Sequence, residues 1–142
     1  YTLTCTNVTG SAARSVTVTV NPPTPDFTLA KTNDIEVTIV GGVPSVSSKS
    51  TVTVDAVGSF ANAIDLSVLS IAPAIPGITY SLSNPNLTTG EYAGGSLFSV
   101  TVPGPTASGT SVITIQGIGG GLTRTVNVLL TIFGKDPEFE NF

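Results

Sequence analysis

Apolar residues alternate with serine and threonine along most of the chain, and this period of two predicts β-strands that bury one face. The clearest examples are residues 15–20, 49–54 and 126–132. Valine and threonine dominate these segments, and their β-branched side chains favour a pleated strand over a helix. The apolar spacing of an amphipathic helix is absent from the sequence. The chain is therefore predicted to be all-β.

Clusters of glycine, proline and asparagine separate the strand candidates at intervals typical of antiparallel sandwiches. The pattern predicts ten strands, at 1–6, 15–20, 27–30, 35–40, 49–56, 64–70, 78–83, 96–102, 111–117 and 122–133. Gly119, Gly120 and Gly121 separate the last two strands. Because glycine reaches positive φ at low cost, these three residues predict a hairpin turn.

A proline-rich segment, residues 21–25, divides the chain into two unequal parts. Proline removes a ladder donor and favours an extended conformation, so Asn21-Pro22-Pro23-Thr24-Pro25 predicts a linker. Residues 26–134 are long enough for one complete sandwich, whereas residues 1–20 supply two strands and a turn near Gly10. Because the chain begins within a strand pattern and without Met, we expect it to be a piece of a longer precursor.

Several strand motifs of the larger part carry a resemblance to a known family. They are Asp26-Phe27-Thr28-Leu29, residues 49–56, Ile64-Asp65-Leu66-Ser67-Val68, residues 76–82 and residues 120–126. Together they resemble the immunoglobulin-like repeats of large secreted and surface-anchored bacterial proteins, over nearly all of residues 26–134. The resemblance implies an antiparallel immunoglobulin-like β-sandwich at the cell surface or outside the cell. Such motifs are low in complexity, so they specify a fold better than a function.

Residues 1–20 resemble the last two strands of a preceding immunoglobulin-like repeat, which adds a two-stranded segment before the sandwich. In such repeats the cysteine at this position commonly pairs with one on an earlier strand, and this sequence holds a single Cys. Cys5 is therefore expected to be a free, buried-type thiol or an intermolecular partner. A lone hairpin is marginally stable in water, so we expect a sheet edge of the same chain or of a neighbouring copy to cover its apolar face. The candidate interaction residues are Leu3, Cys5, Val16, Val18 and Val20.

Composition narrows the chemistry that the chain can perform. Its 142 residues include no His and one Cys, which excludes Ser-His-Asp and Cys-His nucleophile systems, imidazole metal ligands and thiolate zinc clusters. Charged residues are 10% of the chain, the net charge is −4 and the five basic residues are scattered, which argues against nucleic acid as a partner. No run of about 20 apolar residues predicts a membrane span. We expect a non-enzymatic protein without a catalytic site, a metal ion or a cofactor.

Two sets of polar residues are weak candidates, one for a calcium site and one for an isopeptide bond. Asp34 and Glu36, near the linker, are candidate calcium ligands, although the acidic residues form no alternating loop that would supply six or more oxygens. Lys31 or Lys49 is a candidate for an isopeptide bond to Asn127, which needs both partners buried. The alternation of residues 126–132 instead places Asn127 on the solvent face.

Aromatic residues provide a further set of candidates, for a ligand-binding surface. Tyr80 and Phe98 lie at strand-like positions and are expected to be core residues. Phe60 and Tyr92, together with the loop at residues 83–96, are the candidates for carbohydrate or protein binding. The absence of Trp weakens the case for a sugar-stacking platform.

Three functional hypotheses follow from these patterns. The leading one is a structural module, acting as an adhesin stalk, spacer or filament component whose partners are neighbouring immunoglobulin-like domains or identical subunits. The second is a fibre subunit that completes a neighbour's sheet through residues 1–20. The third is a carbohydrate- or protein-binding module. Residues 135–142 depart from the strand pattern, and we expect a flexible tail, a vector remnant or a linker to a further domain.

Overall fold

The regular secondary structure of this protein is β-strand throughout its described residues. The computed structural model describes residues 2–7, 9–104 and 106–134, with the backbone alone described for 2–7 and 10–15, so the expected tail at 135–142 lies outside them. The strands are β1 (Thr2–Asn7), β2 (Gly10–Ser15), β3 (Asp26–Lys31), β4 (Ile35–Ile39), β5 (Ser45–Val46), β6 (Ser50–Val57), β7 (Ile64–Ala72), β8 (Thr79–Leu82), β9 (Asn86–Leu87), β10 (Ser96–Val102), β11 (Gly109–Gly119) and β12 (Leu122–Gly134). This confirms the all-β prediction.

The ten strands from β3 onward form two sheets that pack face to face. One sheet has the order β3-β6-β10-β5, with β8 on the other side of β10. Phe98 and Thr101 of β10 each pair with β8 on one side and with β6 or β5 on the other, so β5 and β6 act as one interrupted strand. The second sheet has the order β4-β12-β11-β7-β9, and β4 runs parallel to β12. The first two strands of the sandwich, β3 and β4, thus lie in different sheets. The architecture is an immunoglobulin-like β-sandwich.

Alternation along each strand sorts side chains between the core and the surface. In β10, Phe98, Val100 and Val102 are buried, whereas the residues between them face outward or are half-buried. Ile113 and Ile115 of β11 are fully buried on the opposite sheet. The apolar faces of the two sheets therefore meet in one core, as the period of two requires.

The β11–β12 hairpin turns at the glycine run that predicts it. Gly119 pairs with Leu122, and Gly120 and Gly121 between them have φ values of 57° and 78°. Two consecutive residues at positive φ form a type I′ turn, whose twist matches that of the two strands. The hairpin prediction is confirmed.

The second N-terminal strand differs from its prediction. It occupies Gly10–Ser15, and residues 16–20 lie outside any strand although their sequence alternates perfectly. Asn7 pairs with Gly10 and Thr2 pairs with Ser15, so the hairpin turns between Asn7 and Gly10 and its second strand starts at Gly10. The register between two strands sets these bounds, and a pattern within one strand does not reveal that register. The two-residue strands β5 and β9 were also not predicted, because they are too short to show a period.

The β1–β2 hairpin forms a two-stranded sheet of its own. Within the described residues it shares no ladder with either sheet of the sandwich. Pairing with a neighbouring copy stays a prediction. No described helix is long and apolar enough to span a membrane.

Candidate functional site

The proline-rich linker meets the sandwich at the turn that follows β6. Gly58 has a φ of 64°, and a Cβ placed on it would lie 2.6 Å from the Pro23 carbonyl oxygen and 3.4 Å from that of Thr24. Only glycine combines this backbone conformation with so close an approach. The backbone of the predicted linker, residues 21–25, therefore packs against one end of the sandwich.

An ion pair holds the same end of the sandwich where the linker becomes β3. Arg124 Nη2 of β12 donates to Asp26 Oδ2 at 2.7 Å, and the Phe27 backbone N–H donates to Asp26 Oδ1 at 2.7 Å. The Arg124 hydrogen bond and then that of Phe27 lower the pKa of Asp26 below its ordinary value of 3.8. Because β3 and β12 belong to different sheets, the pair joins both sheets at the point where the linker enters. We call the Gly58 contact and this ion pair the linker junction.

A second charged group lies in the crossover from β3 to β4. Lys31 Nζ donates to Asp34 Oδ1, and the Leu129 N–H donates to the same oxygen at 2.8 Å. These two hydrogen bonds, that of Lys31 first, lower the pKa of Asp34. Asp34 is therefore used by donors of the protein itself. The described residues contain no group of three or more acidic, Cys or His side chains placed to hold a metal ion, so the structure does not build Asp34 and Glu36 into a calcium site.

The residues named for an isopeptide bond are not buried together. Asn127 is exposed, as its strand phase predicts, and its Oδ1 accepts a hydrogen bond from the Thr114 hydroxyl at 3.0 Å. Lys49 is exposed, and Lys31 is paired with Asp34. The buried environment that such a bond requires is therefore missing from both candidate pairs.

The aromatic candidates for ligand binding belong to the core. Tyr92 and Phe60 are buried, with their ring centroids 6.5 Å apart, and Phe60 also packs on Phe27 at 5.0 Å. The Tyr92 hydroxyl donates to the Asn62 carbonyl oxygen, and burial raises its pKa. The interpretation of Phe60 and Tyr92 as a binding surface is wrong, because their rings fill the space between the sheets.

Tyr80 shows the opposite error. The prediction that Tyr80 and Phe98 are core residues is confirmed for Phe98, which is fully buried, and wrong for Tyr80, which is 51% exposed. Tyr80 lies opposite the buried Val100 and so has the core-facing phase. Its strand, β8, is the last strand of its sheet, which leaves the side chain at the open margin of the sandwich.

The loop at residues 83–96, a candidate for ligand binding, is closed by bonds to Glu91. The Thr88 N–H and hydroxyl donate to Glu91 Oε2 at 2.9 and 2.6 Å, and Asn84 Nδ2 donates to Oε1 at 2.9 Å. The Thr88 hydroxyl, followed by the Thr88 N–H, lowers the pKa of Glu91. The Gly95 N–H donates to the Glu91 carbonyl oxygen at 2.7 Å. These bonds hold the loop in the conformation that buries Tyr92.

Three of the five interaction candidates have described side chains, and all three are exposed. The exposed fractions are 65% for Val16, 59% for Val18 and 80% for Val20. The side chains of Leu3 and Cys5 lie outside the described residues. Whether this apolar set contacts a partner stays a prediction, as does the state of the Cys5 thiol. Sequence patterns alone did not indicate the linker junction, because its residues are polar, ordinary in spacing and distant along the chain.

Acid is expected to lower the thermal stability of this protein within a defined pH range. The folded-state pKa values of Asp26, Asp34 and Glu91 lie below their ordinary values of 3.8, 3.8 and 4.5. A depressed carboxyl pKa contributes stability that is present above the unfolded-state value and lost as the pH falls through the folded-state value. We expect a constant melting temperature from neutral pH down to about 5 and a progressive decrease below 4.5.

Circular dichroism melts across the pH range measure this effect. The triple variant Asp26→Asn, Asp34→Asn, Glu91→Gln is expected to melt lower at neutral pH and to lose less on acidification. Asp55→Asn, at an exposed position, controls for removal of a negative charge alone. An acid decrease as steep in the triple variant as in the unmodified protein contradicts the assignment to these three carboxyl groups.

Comparisons with known proteins give likenesses of fold. Neither a scan against models of protein families nor a search of curated proteins gives a match. Among solved structures, the N-terminal domain of PorA is 15% identical, with 75% of this chain and 97% of that chain covered and a TM-score of 0.48. A chimeric titin Z1Z2-Z1Z2 tandem is 15% identical, with 95% and 63% covered and a TM-score of 0.41. The Bacillus anthracis TIE protein is 9% identical, with 90% and 30% covered and a TM-score of 0.45.

Proposed function

We propose that this chain is a non-enzymatic structural module of a secreted or cell-surface protein, an immunoglobulin-like unit that serves as a spacer, stalk or filament component. The observation that supports the proposal is the linker junction. A linker that is seated on Gly58 and followed at once by the Asp26–Arg124 pair has a defined direction relative to the sandwich. A series of rigid units keeps an extended shape and transmits force only if each unit has a fixed direction relative to the one before it.

The path of the chain through the sandwich suits this serial arrangement. The linker enters beside Arg124, near the start of β12, and β12 then runs from Leu122 to Gly134. A strand rises about 3.3 Å per residue, so Gly134 lies roughly 33 Å from Arg124 at the far end of the sandwich. The chain thus enters the sandwich at one end and leaves β12 at the opposite end. Units joined in this way form an extended row.

The linker itself contributes stiffness to the proposed arrangement. Proline-rich segments favour the extended polyproline conformation and act as semi-rigid spacers. Residues 22–25 contain three prolines, and the backbone of Pro23 and Thr24 is packed on the sandwich. Bending at the junction therefore requires separation of this packed contact and of the Asp26–Arg124 pair.

Distance measurements between spin labels test the proposal. We expect a narrow distance distribution between labels at Thr17→Cys and Lys49→Cys in a Cys5→Ser background, measured by double electron–electron resonance. Arg124→Gln removes the ion pair and is expected to widen the distribution. Lys31→Gln is the matched control, since it breaks the Lys31–Asp34 pair without touching the linker.

Two results would count against a directed spacer. One is a broad distribution in the labelled protein with the junction intact, which describes a flexible tether. The other is an equal widening by Arg124→Gln and Lys31→Gln, which describes a general loss of rigidity. Thermal melts of each labelled variant establish that the sandwich remains folded during the comparison.

A second candidate function, assembly by strand complementation, has one observation in its favour. Val16, Val18 and Val20 alternate, are exposed and lie outside the β2 ladder. An exposed segment with this alternation suits addition to the sheet edge of another subunit. The triple replacement of these valines by serine is therefore one arm of the assembly experiment described below.

A further inference from the structure

One lateral margin of the sandwich consists of two free strand edges. It is formed by residues 67–72 of β7 and by β8 (Thr79–Leu82), and we call it the uncharged margin. β9 pairs with β7 only at Ile64 and Asp65, so the outer edge of 67–72 has no ladder partner among the described residues. Among the described residues, β8 pairs only with β10, so its other edge is free as well. Free edges of this kind are able to form hydrogen bonds to another strand.

The uncharged margin has none of the charged residues that usually protect an edge. The sequence from residue 66 to residue 90 contains no Asp, Glu, Lys or Arg. The opposite margin, formed by β3, β4 and their crossover, holds Asp26, Lys31, Asp34 and Glu36. Charged side chains on edge strands discourage pairing with other chains. One margin of this sandwich is protected in this way and the other is not.

Apolar side chains are exposed along the uncharged margin. Tyr80 of β8 is 51% exposed and Leu69 of β7 is 56% exposed. Ile71, Ile75 and Ile78 are partly buried and pack against the core from the same segment of the chain. The open side between the two sheets is thus apolar. The Tyr80 side chain is on the same face of its sheet as the buried Val100, but no other part of the described chain buries it.

The charge distribution favours a second copy of this chain as the occupant. In a twofold contact the same surface patch is used by both subunits, so each charge faces a like charge near the axis. The chain has a net charge of −4, which opposes self-association through its charged surfaces. At the uncharged margin two identical copies meet without like-charge repulsion, and apolar area is removed from water on both sides.

We propose that the uncharged margin is a homotypic contact, in which β8 of one copy pairs antiparallel with β8 of another across a twofold axis. The pairing joins the two β8-containing sheets into one and covers Tyr80 with its counterpart. The contact is lateral, at right angles to the serial direction of the linker. It therefore brings neighbouring chains side by side, and it does not depend on the proposed spacer function.

Molar mass in solution tests this contact with the full chain. We expect light scattering from about 1 µM to about 1 mM, in reductant, to report a monomer–dimer equilibrium. Tyr80→Lys is expected to weaken the dimer at least about tenfold, since it places like charges across the axis. Val46→Lys is the matched control, because it adds the same charge at a 62% exposed valine on β5 and is expected to leave the equilibrium unchanged.

Every other outcome overturns the proposal, and two of them assign association to a different part of the chain. A monomer at every concentration overturns the proposal, and so does a dimer that Tyr80→Lys leaves as stable as before. Loss of association in the variant Val16→Ser, Val18→Ser, Val20→Ser, with Tyr80→Lys unaffected, assigns assembly to strand complementation. A repeat of the series without reductant tests Cys5, because a dimer that forms only without reductant is assigned to this thiol and overturns the proposal. Thermal melts of every variant distinguish a lost contact from a lost fold.

Discussion

Replacing Phe27 by alanine is expected to destabilise the sandwich by about 3–5 kcal/mol, the usual cost of truncating a fully buried Phe. Phe27 is the second residue of β3 and has no exposed surface. Its ring packs on Phe60, which in turn stacks on Tyr92, so the substitution leaves a cavity within an aromatic cluster. Urea denaturation followed by circular dichroism measures the change in the free energy of unfolding.

Phe133→Ala provides the matched control for Phe27→Ala. It makes the same chemical change on β12 at a side chain that is 47% exposed, so we expect a cost well below that of Phe27→Ala. Similar costs for the two substitutions would contradict the packing of β3 into the core. The comparison bears on the proposed spacer function, because Phe27 anchors the start of β3, directly after the proline-rich segment, in the core.

Replacing Gly95 by alanine is expected to destabilise the protein by about 3 kcal/mol or more, because two independent costs combine at this position. Gly95 has a φ of 63°, a conformation that costs other residues roughly 1–3 kcal/mol. An added Cβ would also lie 2.2 Å from the Val52 carbonyl oxygen, so the β6 backbone or the loop has to move. The movement disturbs the Gly95–Glu91 hydrogen bond that closes the loop over Tyr92.

Gly90→Ala in the same loop separates these costs from the general effect of removing a glycine. Gly90 is not in the left-handed region and has nothing within 4 Å of an added Cβ. Alanine there is expected to be neutral or to stabilise by about 0.4–1 kcal/mol, since it restricts the unfolded chain. Thermal and urea denaturation of both variants check the pair, and equal effects would refute the close approach of the loop to β6.

The loop between β9 and β10 was a candidate for ligand binding, but its contacts in the structure are with the protein itself. By sequence, residues 83–96 are a candidate binding loop, yet the carboxylate of Glu91 accepts hydrogen bonds from Thr88 and Asn84 and the Tyr92 ring is buried in the core. The loop therefore stabilises the end of the sandwich. The exposed apolar surface lies instead on the uncharged margin and on the valines after β2, and both features direct attention to contacts between units.

The fold class was predictable from the sequence because its cause is local. A period of two with valine and threonine is compatible with a strand that buries one face, and many such strands separated by turns can bury those faces only against each other. The hairpin turn at Gly120 and Gly121 was predictable for a similar reason. Its backbone requires positive φ at two consecutive residues, and glycine meets that requirement without a partner elsewhere in the chain.

The features on which the proposals rest depended on tertiary structure, because their partners are distant along the chain. Asp26 and Arg124 are 98 residues apart, and nothing in their local sequences indicates that they pair. Tyr80 lies in a strand pattern and Tyr92 in a loop, which predicts burial of Tyr80 rather than Tyr92, yet Tyr80 is exposed and Tyr92 is buried. The difference arises because β8 is the last strand of its sheet while Tyr92 points between the sheets. The sequence by itself thus determined which residues form strands and which faces of those strands are apolar, whereas pairing between distant strands decided which edges stay open and where the linker is held.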